Sequence, residues 1–386
     1  MSGNGRLRLL IGTEYLNEGG VGRQIHYLVN HLDQERFEVH LAILRDRDLF
    51  FTDLLEDERV RTTLVNGGKG VGLRGLAGMA RRFRSLRPDI VHLFGGKANH
   101  IGGFASIFSP VPVLIFSVRS ATGRRVNDIV YRLLRGRQSL TIVNSEGIRK
   151  ALVERSGYGP GEVRVQHNFL DTVLFRPLGR GEREEARRRF GIAPGRYCFA
   201  SVGRIAPQKN QLATLEALHR LREEGRLPDD VDFLFIGREY DRRYARRVRE
   251  RCGALGLDGL CRFHDPVREV VPLYNALDGI FQPSTYEGLS NVVIEAQACG
   301  TPVALSDEGD NDGLVEQGKT GVSFRAAAAE DVARALEELI HLGRDGEKKE
   351  EITSRARDAV VERFSLEGEI RKLQGTYEQL LGEGGE

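Results

Sequence analysis

Residues 284–303 read STYEGLSNVVIEAQACGTPV, and this stretch decides how the rest of the chain is interpreted. Two carboxylates, Glu287 and Glu295, lie eight residues apart in it. Gly288 allows the chain to turn between them, and a helix is expected to begin just after that turn. Ionised carboxylates accept hydrogen bonds from hydroxyl groups, and the N–H groups of a helix start bind phosphate oxygens. The stretch therefore predicts a site for a phosphorylated, hydroxyl-rich ligand.

On both sides of this stretch, strand-like apolar runs alternate with amphipathic segments of helix length. That alternation is typical of parallel sheets wrapped by helices, and a chain of 386 residues usually exceeds a single core. We therefore expect an α/β protein of two Rossmann-like parallel-sheet domains that face a central cleft. Strands are predicted at residues 8–12, 38–44, 90–94, 113–118, 140–144, 198–202, 232–236, 260–264, 279–282 and 303–306. Helices are predicted at 22–32 and 73–86, and from near residues 210, 240, 270 and 291.

The boundary between the two domains is expected in a segment rich in glycine and proline that follows residue 168. The first domain would comprise residues 1–172 and the second 173–365. A last helical segment, 366–386, would follow the second core and could pack back on the first domain.

Composition is ordinary for a globular protein, with 40% hydrophobic and 29% charged residues. No apolar run approaches the roughly 20 residues that span a bilayer, and no signal peptide pattern opens the chain. A cytoplasmic protein is the expectation. The four cysteines are far apart and show neither metal-binding spacing nor a disulfide pattern. No metal site is predicted.

Although the net charge is only +2, arginines cluster in two segments of the first half of the chain, residues 74–87 and 119–137. In the predicted helix 73–86, Leu73, Leu76, Ala80 and Phe83 recur at helical spacing, which places the arginines on the opposite face. This face is either a solvated surface or a contact for anionic lipid or a phosphate-bearing acceptor. Nucleic acid is not an expected partner, because no aromatic-rich strand or known binding motif accompanies the charge.

Two further segments suit anions. Residues 19–23, GGVGR, follow the first strand and open a helix, so that Gly20 lets a ligand approach the backbone. The pattern lacks the glycine spacing of dinucleotide binders, and a tight turn alone would also favour glycine.

In residues 202–210, VGRIAPQKN, Arg204 and Lys209 lie five residues apart after a strand. They are either a clamp for one diphosphate or two exposed cations near a helix start.

The helix start after Gly288 would present the backbone amides of Leu289, Ser290 and Asn291 to phosphate, with Ser290 or Asn291 as its cap. Glu295, one turn into the helix, would accept a pair of hydrogen bonds from a vicinal diol such as a ribose. The alternative is that Glu295 is a solvated helix residue and Glu287 an incidental loop acid.

These motifs resemble those of the retaining GT-B glycosyltransferases of family GT4, which carry the glycosyl transferases group 1 domain. The family's E-x7-E signature is matched by Glu287 and Glu295. Its G-R-x4-K-[GN] segment and its closing A-x-G-x-P-V segment are matched by Gly203, Arg204, Lys209, Asn210, Ala298, Gly300, Pro302 and Val303. The resemblance covers nearly the whole chain and is most specific between residues 201 and 303.

The resemblance implies transfer of a sugar from a nucleoside diphosphate sugar, most often a UDP-sugar, to a carbohydrate or lipid-linked acceptor. The first domain would bind the acceptor and the second the donor, with no cofactor and no obligatory metal. Arg204 and Lys209 would stabilise the departing diphosphate, Glu295 would hold the ribose and Glu287 the sugar. Gly20, Gly203, Gly237 and Gly288 would line the donor, together with the amides after Gly288.

One position departs from the family pattern. Many members carry a histidine after the fourth strand predicted in the first half, where this chain has Arg119. Arg119 is assigned to the active site as a contact for the diphosphate or for an anionic acceptor. The segments 95–103 and 120–135, taken as loops, are expected to select the sugar and the acceptor. His92 is expected to be packed within its strand, and His100 to reach the cleft from a loop.

Two other functions remain open from the sequence. The same architecture serves nucleotide-sugar epimerases, which need no acceptor. A catalytically silent sugar-nucleotide-binding protein is the other alternative, since Arg119 replaces the family histidine.

Overall fold

The structure of the protein, a computed structural model, describes residues 5–17, 20–46, 49–119, 125–286, 289–308 and 313–383. The chain forms two compact units. The first runs to Phe169 and resumes at Leu366, and the second comprises Leu170–Ser365. Both are parallel sheets covered by helices, which confirms the predicted pair of α/β domains.

The first unit contains a seven-stranded parallel sheet in the order β3-β2-β1-β4-β5-β6-β7. Because helices cover both faces, its central strands are mostly apolar, and all six residues of the strand Val113–Val118 are buried. The strands are β1 Leu7–Thr13, β2 Phe37–Ile43, β3 Val60–Leu64, β4 Ile90–Phe94, β5 Val113–Val118, β6 Leu140–Val143 and β7 Val163–Val165. The helices are α1 Gly20–His31, α2 Asp53–Glu56, α3 Gly72–Leu86, α4 Gly96–Phe108, α5 Arg125–Leu134 and α6 Glu146–Ser156.

The second unit contains a six-stranded parallel sheet in the order β10-β9-β8-β11-β12-β13. This is the doubly wound order, in which the direction of strand addition reverses beside the first strand of the unit. The strands are β8 Tyr197–Val202, β9 Val231–Ile236, β10 Cys261–His264, β11 Gly279–Gln282, β12 Val303–Ser306 and β13 Val322–Phe324. The helices are α7 Arg180–Arg189, α8 Gln211–Glu223, α9 Arg242–Ala254, α10 Val270–Ala276, α11 Asn291–Ala298, α12 Ala329–Arg344 and α13 Gly346–Phe364.

The last helix, α14 Leu366–Glu383, packs in the first unit beside α1. Its Tyr377 is fully buried, and the phenolic oxygen lies 2.7 Å from Nδ1 of His92 in β4. Nε2 of His92 lies 2.8 Å from the hydroxyl oxygen of Ser117 in β5. Two neighbouring strands and the final helix thus share one buried polar network.

A buried carboxylate anchors the first helix of the second unit. Asp278, just before β11, is only 4% exposed. Its two oxygens accept hydrogen bonds from Arg183 and Arg187 of α7, at 2.7 and 2.9 Å. The backbone N–H of Cys198 in β8 donates a third, at 2.8 Å. These contacts give the charged helix α7 a fixed position on the sheet, which its composition alone would not provide.

Several expectations are wrong in detail. The segment taken as a loop at 95–103 is helical from Gly96 onward, as part of α4. Of the segment taken as a loop at 120–135, residues 125–134 form α5, and residues 120–124 lie outside the described residues. Leu73, placed on the apolar face of its helix, is 84% exposed, while Met79 is fully buried. Three strands, β3, β7 and β13, were not predicted. No helix among the described residues is both long and apolar enough to cross a bilayer.

Candidate active site

The donor residues predicted in the second unit follow three adjacent strands of its sheet. Gly203 and Arg204 follow β8, Gly237 follows β9, and the segment that leads to α11 follows β11. Since β8 lies between β9 and β11, these segments meet at the carboxyl edge where the strand order reverses. Open α/β sheets bind their ligands at this edge. Glu287 and Gly288 lie outside the described residues, so their assignments stay predictions.

The backbones of Gly203 and Gly237 lie in contact with each other. Gly237 has φ of +148°, and a Cβ built on it would lie 2.0 Å from the carbonyl oxygen of Gly203. Gly203 itself has φ of +140°. Both conformations disfavour L side chains, and the contact leaves no room for a side chain at Gly237. The two glycines bring the turn after β8 directly against the turn after β9.

The two predicted clamp cations differ in exposure. Lys209 ends the 3-10 turn Pro207–Lys209 and is only 7% exposed. Its Cε packs 3.3 Å from the position that a Cβ on Gly203 would occupy. Arg204 is exposed, and its guanidinium carbon lies 4.9 Å from the centre of the Tyr240 ring. A mostly buried lysine and an exposed arginine therefore flank the same turn, and both cations could contact one anion.

An open cavity of about 540 Å³ adjoins Arg204. Tyr240, which is 68% exposed, contributes an aromatic wall to it. The cavity is lined by Arg204, Ala206, Pro207, Gln208, Tyr240, Asp241, Arg242 and Arg243. An aromatic ring among three arginines suits a ligand that carries negative charge.

Helix α11 begins at Asn291, with Ser290 in the cap position. The side chain of Ser290 makes no capping hydrogen bond, which corrects its predicted role as a side-chain cap. Leu289 packs its side chain into the core of the unit. Any contact that it makes with a ligand would therefore come from its backbone.

Glu295 is buried, at 5% exposure, so the alternative of a solvated helix residue is wrong. Its Oε2 accepts a hydrogen bond of 2.8 Å from the phenol of Tyr274 in α10. That bond holds the carboxylate in one orientation, which a residue that pairs with a diol requires. Tyr274 was not predicted from the sequence, because it lies 21 residues from Glu295 and no motif connects the two residues.

In the first unit, Gly20 is the first residue of α1 and is exposed. The glycine that permits close packing there is Gly22, where a Cβ would lie 2.0 Å from the carbonyl oxygen of Asn17. From the sequence, Gly20 was expected to let a ligand approach the backbone. Its contact with a ligand stays a prediction.

Arg119 follows β5, and its Nη1 donates a hydrogen bond of 2.9 Å to Oδ1 of Asn168. The guanidinium carbon lies 5.5 Å from the centre of the Phe94 ring. Nε and Nη2 are buried and have no hydrogen-bond partner among the described residues. Burial lowers the pKa of Arg119 to about 10, so the group remains charged near neutral pH. Its role in binding or catalysis stays a prediction.

The two first-half histidines considered above, His92 and His100, lie on β4 and α4. His92 is fully buried, and that burial, together with the charge of Arg119, holds its pKa well below the usual range. His100 is on helix α4 and packs edge-on against the ring of Tyr131, at 5.2 Å between centroids. The expectation that it extends from a loop is wrong.

Within the described ranges, no cluster of three or more His, Cys, Asp or Glu residues could hold a metal ion.

Two family models match successive parts of the chain and together cover most of it. The model described as "Glycosyl transferases group 1" matches residues 182–359, which include the clamp and Glu295. The model "Glycosyltransferase Family 4" matches residues 18–174. The chain belongs to the group 1 glycosyltransferase family. The resemblance drawn from the motifs is thereby confirmed.

Among members of this family, the D-inositol 3-phosphate glycosyltransferase of Rhodococcus erythropolis is 34% identical over 205 residues. That match covers 52% of this chain and 45% of the relative, so it spans less than half of the relative's length. The UDP-Gal:alpha-D-GlcNAc-diphosphoundecaprenol alpha-1,3-galactosyltransferase of Escherichia coli is 23% identical over 368 residues, 90% of each chain.

The crystal structure of Anabaena HepE in complex with UDP and glucose has a TM-score of 0.84 with this structure. The two chains are 21% identical, and the match covers 97% of this chain and 100% of HepE. At this level of identity the likeness establishes the fold. The predicted GT-B class is confirmed.

Proposed function

We propose that this protein is a retaining glycosyltransferase that transfers a sugar from a UDP-sugar to a glycan, glycolipid or small-molecule acceptor. The observation that carries the proposal is the arrangement around β8 and β11. Lys209 and Arg204 flank the turn after β8, and the buried Glu295 lies on the helix after β11. HepE, of the same fold, was crystallised with UDP and glucose, and the Escherichia coli relative is named for a UDP-sugar donor.

The chemistry follows from the charges. Cleavage of the bond between sugar and diphosphate leaves negative charge on the leaving group. A fixed ammonium and guanidinium stabilise that charge more in the transition state than in the bound donor. Glu295, oriented by Tyr274, would accept hydrogen bonds from the two ribose hydroxyls. Glu287 would contact the donor sugar, and the amides at the start of α11 the phosphates.

We also propose that no metal ion is required, because Arg204 and Lys209 supply positive charge where many phosphate-transfer sites use Mg²⁺. Turnover in the presence of EDTA tests this point. Activity equal to that in buffer alone supports it, and activity restored only by added Mg²⁺ or Mn²⁺ contradicts it.

For the acceptor, we propose a lipid-linked molecule at an anionic membrane surface. Between Glu58 and Glu146 the sequence has two acidic residues, Asp89 and Asp128, among many arginines. Helix α4 packs between α3 and α5, and this layer exposes Phe108 and Leu133, at 63% and 69%. Exposed apolar side chains among basic residues suit the surface of an anionic bilayer. The Escherichia coli relative is named for a diphosphoundecaprenol-linked acceptor.

Sedimentation with vesicles tests the membrane contact. We expect binding to vesicles that contain phosphatidylglycerol, little binding to pure phosphatidylcholine, and weaker binding at high salt. The double variant Arg81→Glu, Arg84→Glu on α3 should lose binding to the vesicles that contain phosphatidylglycerol. The control, Arg246→Glu, Arg247→Glu on α9, makes the same charge change in the second unit. Equal binding by both variants, or none by the unmodified protein, would refute the proposed surface.

Product analysis with a panel of nucleotide sugars tests the reaction itself. Release of UDP with formation of an α-linked product from an α-linked donor supports a retaining transferase. A changed sugar in the recovered donor, with no acceptor present, would instead indicate an epimerase. Tight UDP binding without sugar release from any donor and acceptor would indicate a silent binding protein.

A further inference from the structure

One side chain connects the two motifs of the donor site. Gln208 is the middle residue of the 3-10 turn Pro207–Lys209, between the two clamp cations. Its Oε1 lies 3.4 Å from Nη2 of Arg204 and accepts a hydrogen bond from it. Its Nε2 donates a hydrogen bond of 2.7 Å to the carbonyl oxygen of Tyr286. A primary amide, with an acceptor at one end and donors at the other, suits both partners.

The backbone of the same turn makes a second connection. The carbonyl oxygen of Gln208 accepts a hydrogen bond of 2.9 Å from the backbone N–H of Thr285. Tyr286 immediately precedes Glu287, the residue assigned to the donor sugar. The conformation of the clamp turn and that of the segment leading to Glu287 therefore depend on each other.

Among the residues that the structure describes, Arg204 has few other restraints. It is exposed, and apart from Gln208 its guanidinium meets the ring of Tyr240 at 4.9 Å. Contact with the face of an aromatic ring restricts the orientation of the guanidinium plane but still allows the group to move across the ring. A hydrogen bond, in contrast, fixes the position of one edge of the guanidinium. Gln208 thus determines where the Nη2 edge of Arg204 points.

We propose that Gln208 is a positioning residue for transfer, which aligns Arg204 with the diphosphate and couples that alignment to the donor-sugar segment. This inference rests on the proposed function of the site. Gln208 need not touch the donor. Its loss should lower turnover more than it weakens binding, because the charge of Arg204 remains while its alignment in the transition state is lost.

Three variants test it by kinetics of UDP release and by calorimetry with UDP. Gln208→Ala removes both side-chain hydrogen bonds. Gln208→Glu keeps an acceptor for Arg204 but cannot donate to Tyr286, so it separates the two contacts. Gln317→Ala is the control, because Gln317 also bridges two partners, Glu338 and the backbone of Ser323, in the same unit.

We expect Gln208→Ala to lower kcat about tenfold or more, with UDP affinity changed less than about threefold. Gln208→Glu should also lower kcat, whereas Gln317→Ala should leave it within about twofold. An unchanged kcat in Gln208→Ala would overturn the inference and leave the proposed function intact. A fall in melting temperature with unchanged kcat would assign Gln208 a structural role only. If the unmodified protein neither binds UDP nor turns over a donor, the proposed function itself fails.

Discussion

The phenol of Tyr274 donates a hydrogen bond of 2.8 Å to Oε2 of Glu295, between helices α10 and α11. Both residues are buried, at 1% and 5% exposure. A buried carboxylate on the first turns of a helix is costly unless a partner compensates for its loss of water. Tyr274 supplies part of that compensation and also fixes the carboxylate as an acceptor. We infer that the pair is built to present Glu295 to a ligand.

Replacement of Glu295 by alanine should reduce donor affinity about tenfold or more, because hydrogen bonds to a charged group contribute about 1.5–3 kcal/mol. Tyr274→Phe should have a smaller effect of the same sign, since the carboxylate remains but loses its orientation. Calorimetry with UDP measures both. Wild-type affinity in Glu295→Ala would show that this carboxylate does not hold the nucleotide.

Gly237→Ala should destabilise the second unit by about 2 kcal/mol or more, because φ of +148° is strained for alanine and the new Cβ meets the carbonyl of Gly203. Chemical denaturation measures the loss. Gly259→Ala is the control, because a Cβ there has no neighbour within 4 Å. Equal stability of the two variants would mean that the two turns do not touch.

Tyr377→Phe should cost about 1–3 kcal/mol, since it leaves Nδ1 of the buried His92 without its partner. The phenylalanine keeps the packing of the ring, so the loss reports the hydrogen bond. Urea denaturation followed by circular dichroism measures it. A variant as stable as the unmodified protein would show that the network does not hold α14 to β4.

Stability should fall as the pH drops below about 6.5, the usual pKa of histidine. His92 stays neutral in the folded protein, because burial and the charge of Arg119 hold its pKa well below that value. The unfolded chain binds the proton first, so acid favours unfolding by up to about 1.4 kcal/mol per pH unit for this group.

Denaturation of the unmodified protein and of His92→Gln between pH 7.5 and 5.5 isolates that contribution, because other histidines titrate in both proteins. The variant should show a shallower decline. Parallel declines would indicate that His92 accepts its proton in the folded state.

The two sheets and the candidate donor motifs could be predicted from the sequence, since buried parallel strands and the spacing of Arg204, Lys209 and Glu295 are local signals. Features that depend on tertiary packing could not be predicted in this way. Residues 95–103 were expected to form a loop, yet a Cβ on Gly102 of α4 would lie 2.3 Å from the side chain of Leu93, so this glycine marks close packing of a helix on its sheet. The hydrogen bonds from Tyr274 to Glu295 and from Gln208 to Tyr286 join residues far apart in the chain. No spacing pattern in the sequence predicts such contacts.

The central claim is that Lys209 and Arg204 bind the diphosphate of a nucleotide donor, and calorimetry with UDP tests it most directly. Lys209→Met keeps most of the buried aliphatic chain and removes the charge. Lys319→Met is the control, since Lys319 is exposed and pairs with Glu316. We predict UDP binding by the unmodified protein and the control, and about tenfold or greater loss in Lys209→Met. Equal UDP affinity in all three, or none in the unmodified protein, would contradict the account.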